Sequence, residues 1–268
     1  MSKIKDDLEN KKEFANKETE AYEKGYYFDS ARHIHRLDGK NLNGITTILS
    51  VIAKPALIQW SANMACDYIS QNIVSCFDDF MVVSPANKHF DMEKFDNLLK
   101  EARNAHRKKK EKAGDIGTEV HQAVEDYIKS GIVVAPDGLN KELVQKSLNN
   151  FIEFATENKV KFLESERNLY SRKYWIGGIV DFVCEIDGEV WIGDVKTASG
   201  IYPENFLQMA GYQIMLEEMG LYKNIKGHIV VNLRKDGKME VKKNCEVDIH
   251  REAFLSALTL YRCLNDAK

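Results

Sequence analysis

Apolar residues recur at helical spacing through the first half of the chain and at two-residue spacing through much of the second, with the change near Lys159. Residues 1 to about 24 are dense in Lys and Glu with few apolar anchors, the pattern of a solvated helix or frayed arm. Tyr26 to Asp38 reads as a β-hairpin, with Asp38-Gly39 turning the chain. A short helix is predicted over about Thr47 to Ala53. Pro55 then suits the first position of a second, which reaches about Val74 and carries Leu57, Trp60, Met64, Ala65 and Ile69. Asp91 to about Lys112 is a third helix. Ala113-Gly114-Asp115 reads as a break before a fourth, which holds Val120, Val124, Tyr127 and Ile128. Gly131 and Pro136-Asp137-Gly138 interrupt the pattern again, and Lys141 to Asn158 forms a fifth helix.

Beyond Lys159 the chain predicts a strand over Val160 to Tyr170, then a hairpin whose arms are Gly178–Ile186 and Glu189–Thr197. A helix follows from Glu204 to about Met219, then strands Gly227–Arg234 and Met239–Val247 about Asp236-Gly237, and a last helix from Arg251 to Leu264. The expected class is therefore α/β (α+β): a mixed sheet with helices on its faces behind an α-rich N-terminal part. Three regions are expected, a charged arm over 1–24, a helical part with a hairpin over 25–113, and a core over 114–268.

Composition narrows the class without naming a function. At 268 residues, 44% hydrophobic and 29% charged, the chain can bury a sizeable core. No apolar run approaches the ~18 residues of a membrane span, and the N-terminus is charged rather than signal-like, so no membrane partner and a cytoplasmic or other reducing location are expected. The five cysteines are odd in number and lack a Cys-x-x-Cys pair, which argues for reduced thiols. A net charge of −3 excludes a broadly basic nucleic-acid binder but not local basic patches.

The most telling residues lie on the predicted hairpin. Asp187-Gly188 is a two-residue turn, and counting back from it sets Ile186 against Glu189, Val183 against Ile192, and Asp181 against Asp194. Opposed side chains stand roughly 5 Å apart, where like charges repel. Asp181, Asp194 and Lys196 share a face otherwise made of Ile and Val, so a divalent cation is expected to neutralise the carboxylates. Mg²⁺ takes few protein carboxylates and keeps positions open for water and phosphate, and the Val195 carbonyl is a further candidate ligand. Lys196 would hold or help deprotonate a water and stabilise charge building on phosphorus.

Other candidates surround this set. His121 and Glu125 fall at i and i+4 on the fourth helix, one turn after Gly117. The imidazole suits a second metal position or a phosphate contact, although a lone helical histidine is ordinarily a packing or capping residue. Gln208 and Tyr212 form another i, i+4 pair, able to orient a water or phosphate and equally at home on the inner edge of an amphipathic helix. The basic run Arg107, Lys108, Lys109, Lys110 and Lys112 is either a phosphate-binding patch or a solvated helix end. Trp60, Tyr26, Tyr27 and Trp175 are candidate base-stacking residues.

In combination these motifs resemble the PD-(D/E)XK nuclease superfamily in its RecB-like branch. The resemblance rests on Gly178-Ile179-Val180-Asp181, Ile192-Gly193-Asp194-Val195-Lys196-Thr197, Gln208 to Tyr212 and Gly117-Thr118-Glu119-Val120-His121. Order and spacing are similar to the mitochondrial genome maintenance exonucleases and their phage-encoded relatives, over about residues 25 to 265. The resemblance implies a restriction-endonuclease-like core, with Asp181, Asp194 and Lys196 catalytic, His121 a metal ligand and Gln208 and Tyr212 in support. Glu166 falls where relatives often carry an acid and is given a peripheral role. Asp194 stands where many members have Glu, and the cysteines of an iron–sulfur cluster are missing, so Mg²⁺ or Mn²⁺ and no cluster are expected. The expectation is a metal-dependent deoxyribonuclease, an exonuclease on single-stranded DNA ends, in phage replication, recombination or repair and partnered by the proteins of those processes. The alternatives are a flap or branch endonuclease and a non-catalytic nucleic-acid-binding module.

Overall fold

The computed structural model describes residues 25–75, 80–84, 87–133 and 140–265, so the arm expected over 1–24 and the break at Pro136-Asp137-Gly138 lie outside the described residues. By their contacts the residues divide into two units, Met1–Ile52 with Gly117–Lys268, and Ala53–Ile116. The N-terminal hairpin therefore belongs with the core, where the sequence had grouped it with the helices that follow.

In the first unit the chain opens with β1 (Tyr26–Asp29), β2 (Ile34–Leu37) and β3 (Lys40–Asn41), a small antiparallel sheet. Asp38 and Gly39 turn β2 into β3 with positive φ (49° and 77°), as Asp-Gly favours. The strand β4 (Asn43–Gly44) and helix α1 (Ile45–Ile48) follow, continued by a 3₁₀ turn at Leu49–Val51, two residues earlier than the sequence predicts.

The second unit holds α2 (Pro55–Asn72), with proline at its first position, and the antiparallel strands β5 (Met81–Ser84) and β6 (Asn87–Phe90), which the sequence did not reveal. Helix α3 (Met92–Ser130) then runs without interruption through Ala113-Gly114-Asp115. The predicted break is thus absent. Each glycine costs a helix only about 1 kcal/mol, and thirty-nine residues of ladder absorb Gly114 together with Gly117.

Back in the first unit come α4 (Lys141–Glu157), β7 (Lys161–Ser171), β8 (Ile176–Ile186), β9 (Glu189–Lys196), α5 (Pro203–Glu218), β10 (Ile225–Leu233), β11 (Met239–Asn244) and α6 (Val247–Asn265). Together with β4 the strands make a six-stranded mixed sheet in the order β11-β10-β9-β8-β4, with β7 also on β8. β9 and β10 are parallel and joined by α5; β7, β8 and β9 are antiparallel neighbours. The expected α/β class, a mixed sheet flanked by helices, is what the chain forms.

The alternation of β8 decides which helix packs where. Val183 and its partner Ile192 join the buried cluster around α5, with Phe206, Met209, Ile214, Met215 and, from α6, Phe254 and Leu258. Phe182 points the other way and meets Phe162 and Phe151 of α4 edge-on, at ring separations of 5.6 and 5.9 Å. Helix α5 is buried along most of its length, Asn205 and Gln213 included, because it lies between sheet and α6, and Gly211 lets Phe254 and Ile45 come close to its backbone. Among the described residues no single helix is long and apolar enough to cross a membrane.

Candidate metal centre

Asp187 and Gly188 take positive φ (53° and 81°) and fix the β8–β9 hairpin in the register counted from sequence, Ile186 to Glu189, Cys184 to Trp191 and Val183 to Ile192. The ladder then stops at Phe182 and Gly193, one residue short of the two aspartates. A Cβ on Gly193 would fall inside the Phe182 ring, so only glycine fits at this last rung. From Asp194 onward β9 keeps only its parallel partner β10, Asp194 standing beside Val230 and Lys196 beside Asn232. Asp181 reaches across the opening, and its Oδ2 accepts the Val195 amide at 2.7 Å. The carboxylates therefore flank a divergence rather than facing each other in a ladder, and Val195 is engaged through its N–H.

Asp194 is fully buried. Its Oδ1 accepts the Lys196 ammonium at 2.7 Å, while its Oδ2 is buried without a hydrogen-bond partner. The ammonium also donates to Gln208 Oε1 at 3.2 Å, and the Gln208 amide donates to the Tyr212 hydroxyl at 2.7 Å. The sequence pair at i and i+4 on α5 is thus brought into one chain with Asp194 and Lys196. Gly178 makes room for it, since a Cβ there would press on the Tyr212 ring.

On the other side of Asp181, His121 of α3 places Nδ1 3.6 Å from Oδ2. Glu166 completes a group in which His121, Glu166 and Asp181 each bring a ligand atom within 4.8 Å of the others. Asp194 is not in this group; the set expected from sequence was His121, Asp181 and Asp194. Glu166 stands level with Asp181, between the paired Ser165–Phe182 and Arg167–Val180, and has a positive φ of 48°. A non-glycine residue held in that region is costly, and the surrounding sheet must enforce it. The sequence understated Glu166 because Ser171 and Ile176 are joined by a four-residue turn with no regular signature, so the β7–β8 register was not countable.

The electrostatics reflect too much carboxylate in too little water. Burial, reinforced by Asp181 and Glu125, pushes Glu166 up to about 8. Burial also lifts Asp194 to about 7, against the pull of Lys196 and with the push of Asp181. Burial disfavours the Lys196 ammonium, yet Asp194 and Asp181 outweigh it and raise its pKa. Tyr212 is held well above the ordinary phenol range by burial and by the two aspartates. The orphaned Asp194 oxygen and the crowded acids fit a hard divalent cation, and the oxygen-plus-imidazole donor set suits Mg²⁺ or Mn²⁺.

The remaining candidates lie elsewhere. Glu125, one turn on from His121 along α3, is tied to Lys129 at 2.5 Å and to Gln122 at 3.1 Å. Gly117 allows α3 to approach Thr197, whose hydroxyl would be 3.0 Å from a Cβ there. The basic run belongs to the other unit, and acids already neutralise part of it: Arg107 pairs with Glu111 at 3.7 Å and Lys108 with Glu101. Lys109 sits 3.7 Å from the Met64 sulfur, Lys110 is exposed, and the Lys112 side chain lies outside the described residues. Trp60 packs edge-on against His106, Tyr26 is buried, and the Trp175 indole donates to the Asn41 carbonyl at 2.9 Å. Of the stacking candidates only Tyr27 is largely exposed.

No protein-family model matches the chain, and no curated protein matches it. A solved structure described as "Crystal structure of SSO0001" is similar with a TM-score of 0.27 and 14% identity, over 53% of this chain and 74% of that one. That likeness is too slight to carry an argument about fold or function.

Proposed function

We propose that the chain is a metal-dependent deoxyribonuclease that hydrolyses phosphodiester bonds at single-stranded DNA ends, as its resemblance to the RecB-like branch of the PD-(D/E)XK superfamily implies. The observation that carries the reading is the buried Asp194 carboxylate, with Lys196 on one oxygen and no partner on the other, beside His121, Glu166 and Asp181. A non-catalytic binding module has no use for this arrangement, because crowded buried acids destabilise a fold that nothing neutralises. His121, Glu166, Asp181 and Asp194 would hold one or two Mg²⁺ or Mn²⁺ ions. Such an ion, when bound, supplies Lewis-acid stabilisation of phosphate charge and a more acidic water.

The chain's own residues then divide the remaining work. Lys196 keeps a positive charge at the carboxylate edge, where it can orient a water and stabilise charge on the phosphate oxygens. Gln208 fixes that ammonium from the α5 side, and Tyr212 fixes Gln208. The Val195 amide holds Asp181 in one rotamer.

Digestion of end-labelled single and double strands, with Mg²⁺ and with a chelator, tests the proposal. Asp194→Ala and Lys196→Ala are expected to lose cleavage by at least about 10³-fold while the far-ultraviolet circular dichroism is kept. Retained cutting in either purified variant overturns the assignment. Blocking each terminus in turn distinguishes an exonuclease from a flap or branch endonuclease.

A further inference from the structure

The loop after β9 presents an exposed aromatic ring that the proposed chemistry does not use. It begins at Thr197, next to Lys196, and ends at Tyr202, just before α5. Strand β10 fixes its course. Asn232, beside Lys196 in the parallel pair, accepts the Ala198 amide on its Oδ1 at 3.0 Å. Two residues on, the Arg234 guanidinium donates to the Ser199 carbonyl at 2.8 Å and is clamped by Asp236 at 2.9 Å. The Ser199 and Tyr202 hydroxyls are 2.7 Å apart, and the Tyr202 amide donates to Asn205 Oδ1 at 2.8 Å. Tyr202 is thus tethered at its polar tip and at its backbone while 45% of it remains exposed.

An aromatic side chain held in one pose without being packed away loses little entropy when something stacks on it. Its surroundings favour an anion-bearing partner. Arg234, Lys235 and Lys238 lie in the β10–β11 turn, and Lys146 of α4 covers that turn at Gly237, against the acids Asp236 and Glu240. The geometry points to this loop as a stacking platform for an unpaired base, with Tyr202 against the base and the turn's lysines beside the strand's phosphates. A base inside a duplex already has both faces stacked, so the platform selects a single strand a few residues from Lys196. This rests on the nuclease reading, since it seats the strand to be cut, but its test is independent of cutting.

Fluorescence anisotropy in chelator, with labelled single-stranded DNA, compares the wild type with Tyr202→Ala and Tyr202→Phe. Base stacking of this kind predicts about 5- to 100-fold weaker binding for Tyr202→Ala. Tyr202→Phe should stay within about 2-fold, because the ring face is kept. An abasic nucleotide walked along the strand should weaken wild-type binding at one position and add nothing to the loss in Tyr202→Ala. The platform is overturned if Tyr202→Ala binds like the wild type, if Tyr202→Phe loses as much as Tyr202→Ala, or if the protein binds no single strand. Binding with this signature in a protein that never cuts DNA would refute the nuclease reading alone. Cleavage with unchanged Tyr202→Ala binding would refute the platform alone.

Discussion

Glu166 is held in an environment that its type does not prefer. It is mostly buried, left-handed in φ, and set against Asp181 with Glu125 nearby. Its carboxyl titrates near 8 in the fold and near 4.5 in an unfolded chain, so the native state binds the extra proton between those values. Metal-free stability should therefore fall as pH rises from about 4.5 to about 8. Glu166→Gln should flatten that slope and raise the metal-free midpoint in urea at pH 8, while lowering Mn²⁺ affinity and the rate of the proposed cleavage. A steeper slope in the variant would show that burial strain lies elsewhere. His228 gives the opposite sign: buried and stacked 6.0 Å from His250, it is pushed down to about 3 from 6.5. Stability should thus also fall on acidification below pH 6.5, and His228→Gln should soften the acid limb of the same urea series.

At the level of elements, the hairpin β8–β9 was legible because Asp187-Gly188 fixes both turn and register, so Asp181, Asp194 and Lys196 could be placed by counting. The α5 pair was legible from helical spacing alone. Glu166 was not, because a turn without signature hides the β7–β8 register and a positive φ at Glu166 is invisible in sequence. The parting of β8 and β9 was hidden for a related reason: beyond Phe182 and Gly193 the Asp181 side chain, and not a backbone carbonyl of β8, accepts the Val195 amide. The break assigned to Ala113-Gly114-Asp115 was wrong because glycine weakens a helix without ending it. A Cβ at Gly114 meets nothing within 4 Å, so Gly114→Ala should stabilise the protein by about 0.5–1 kcal/mol in chemical denaturation. Phe151, wholly buried among Tyr127, Phe154, Phe162 and Phe182, is the anchor of α4 on the sheet. Phe151→Ala should cost about 3–5 kcal/mol by the same measurement.

For the molecule as a whole, metal-free stability and the proposed activity are set against each other at one place. Three buried or half-buried acids, Asp181, Asp194 and Glu166, face Lys196, His121 and, towards Glu166, Lys129 among the described basic groups, so a cation that binds there stabilises the native state alone. At a concentration of about 100 times its Kd, Mn²⁺ should add about 2.7 kcal/mol, seen as a rise in Tm that Asp181→Asn abolishes. An equal rise in that variant would place the ion elsewhere. The same balance makes Phe182 more than a packing residue. Its ring lies over Gly193 on the α4 face, at the last paired rung of β8 and β9, next to which the Asp181 carboxylate takes the Val195 amide. Trimming that ring, as in Phe182→Ala, removes the weight behind this last rung, so an apolar substitution remote from every acid should still slacken the hinge from which Asp181 hangs and weaken its hold on Mn²⁺.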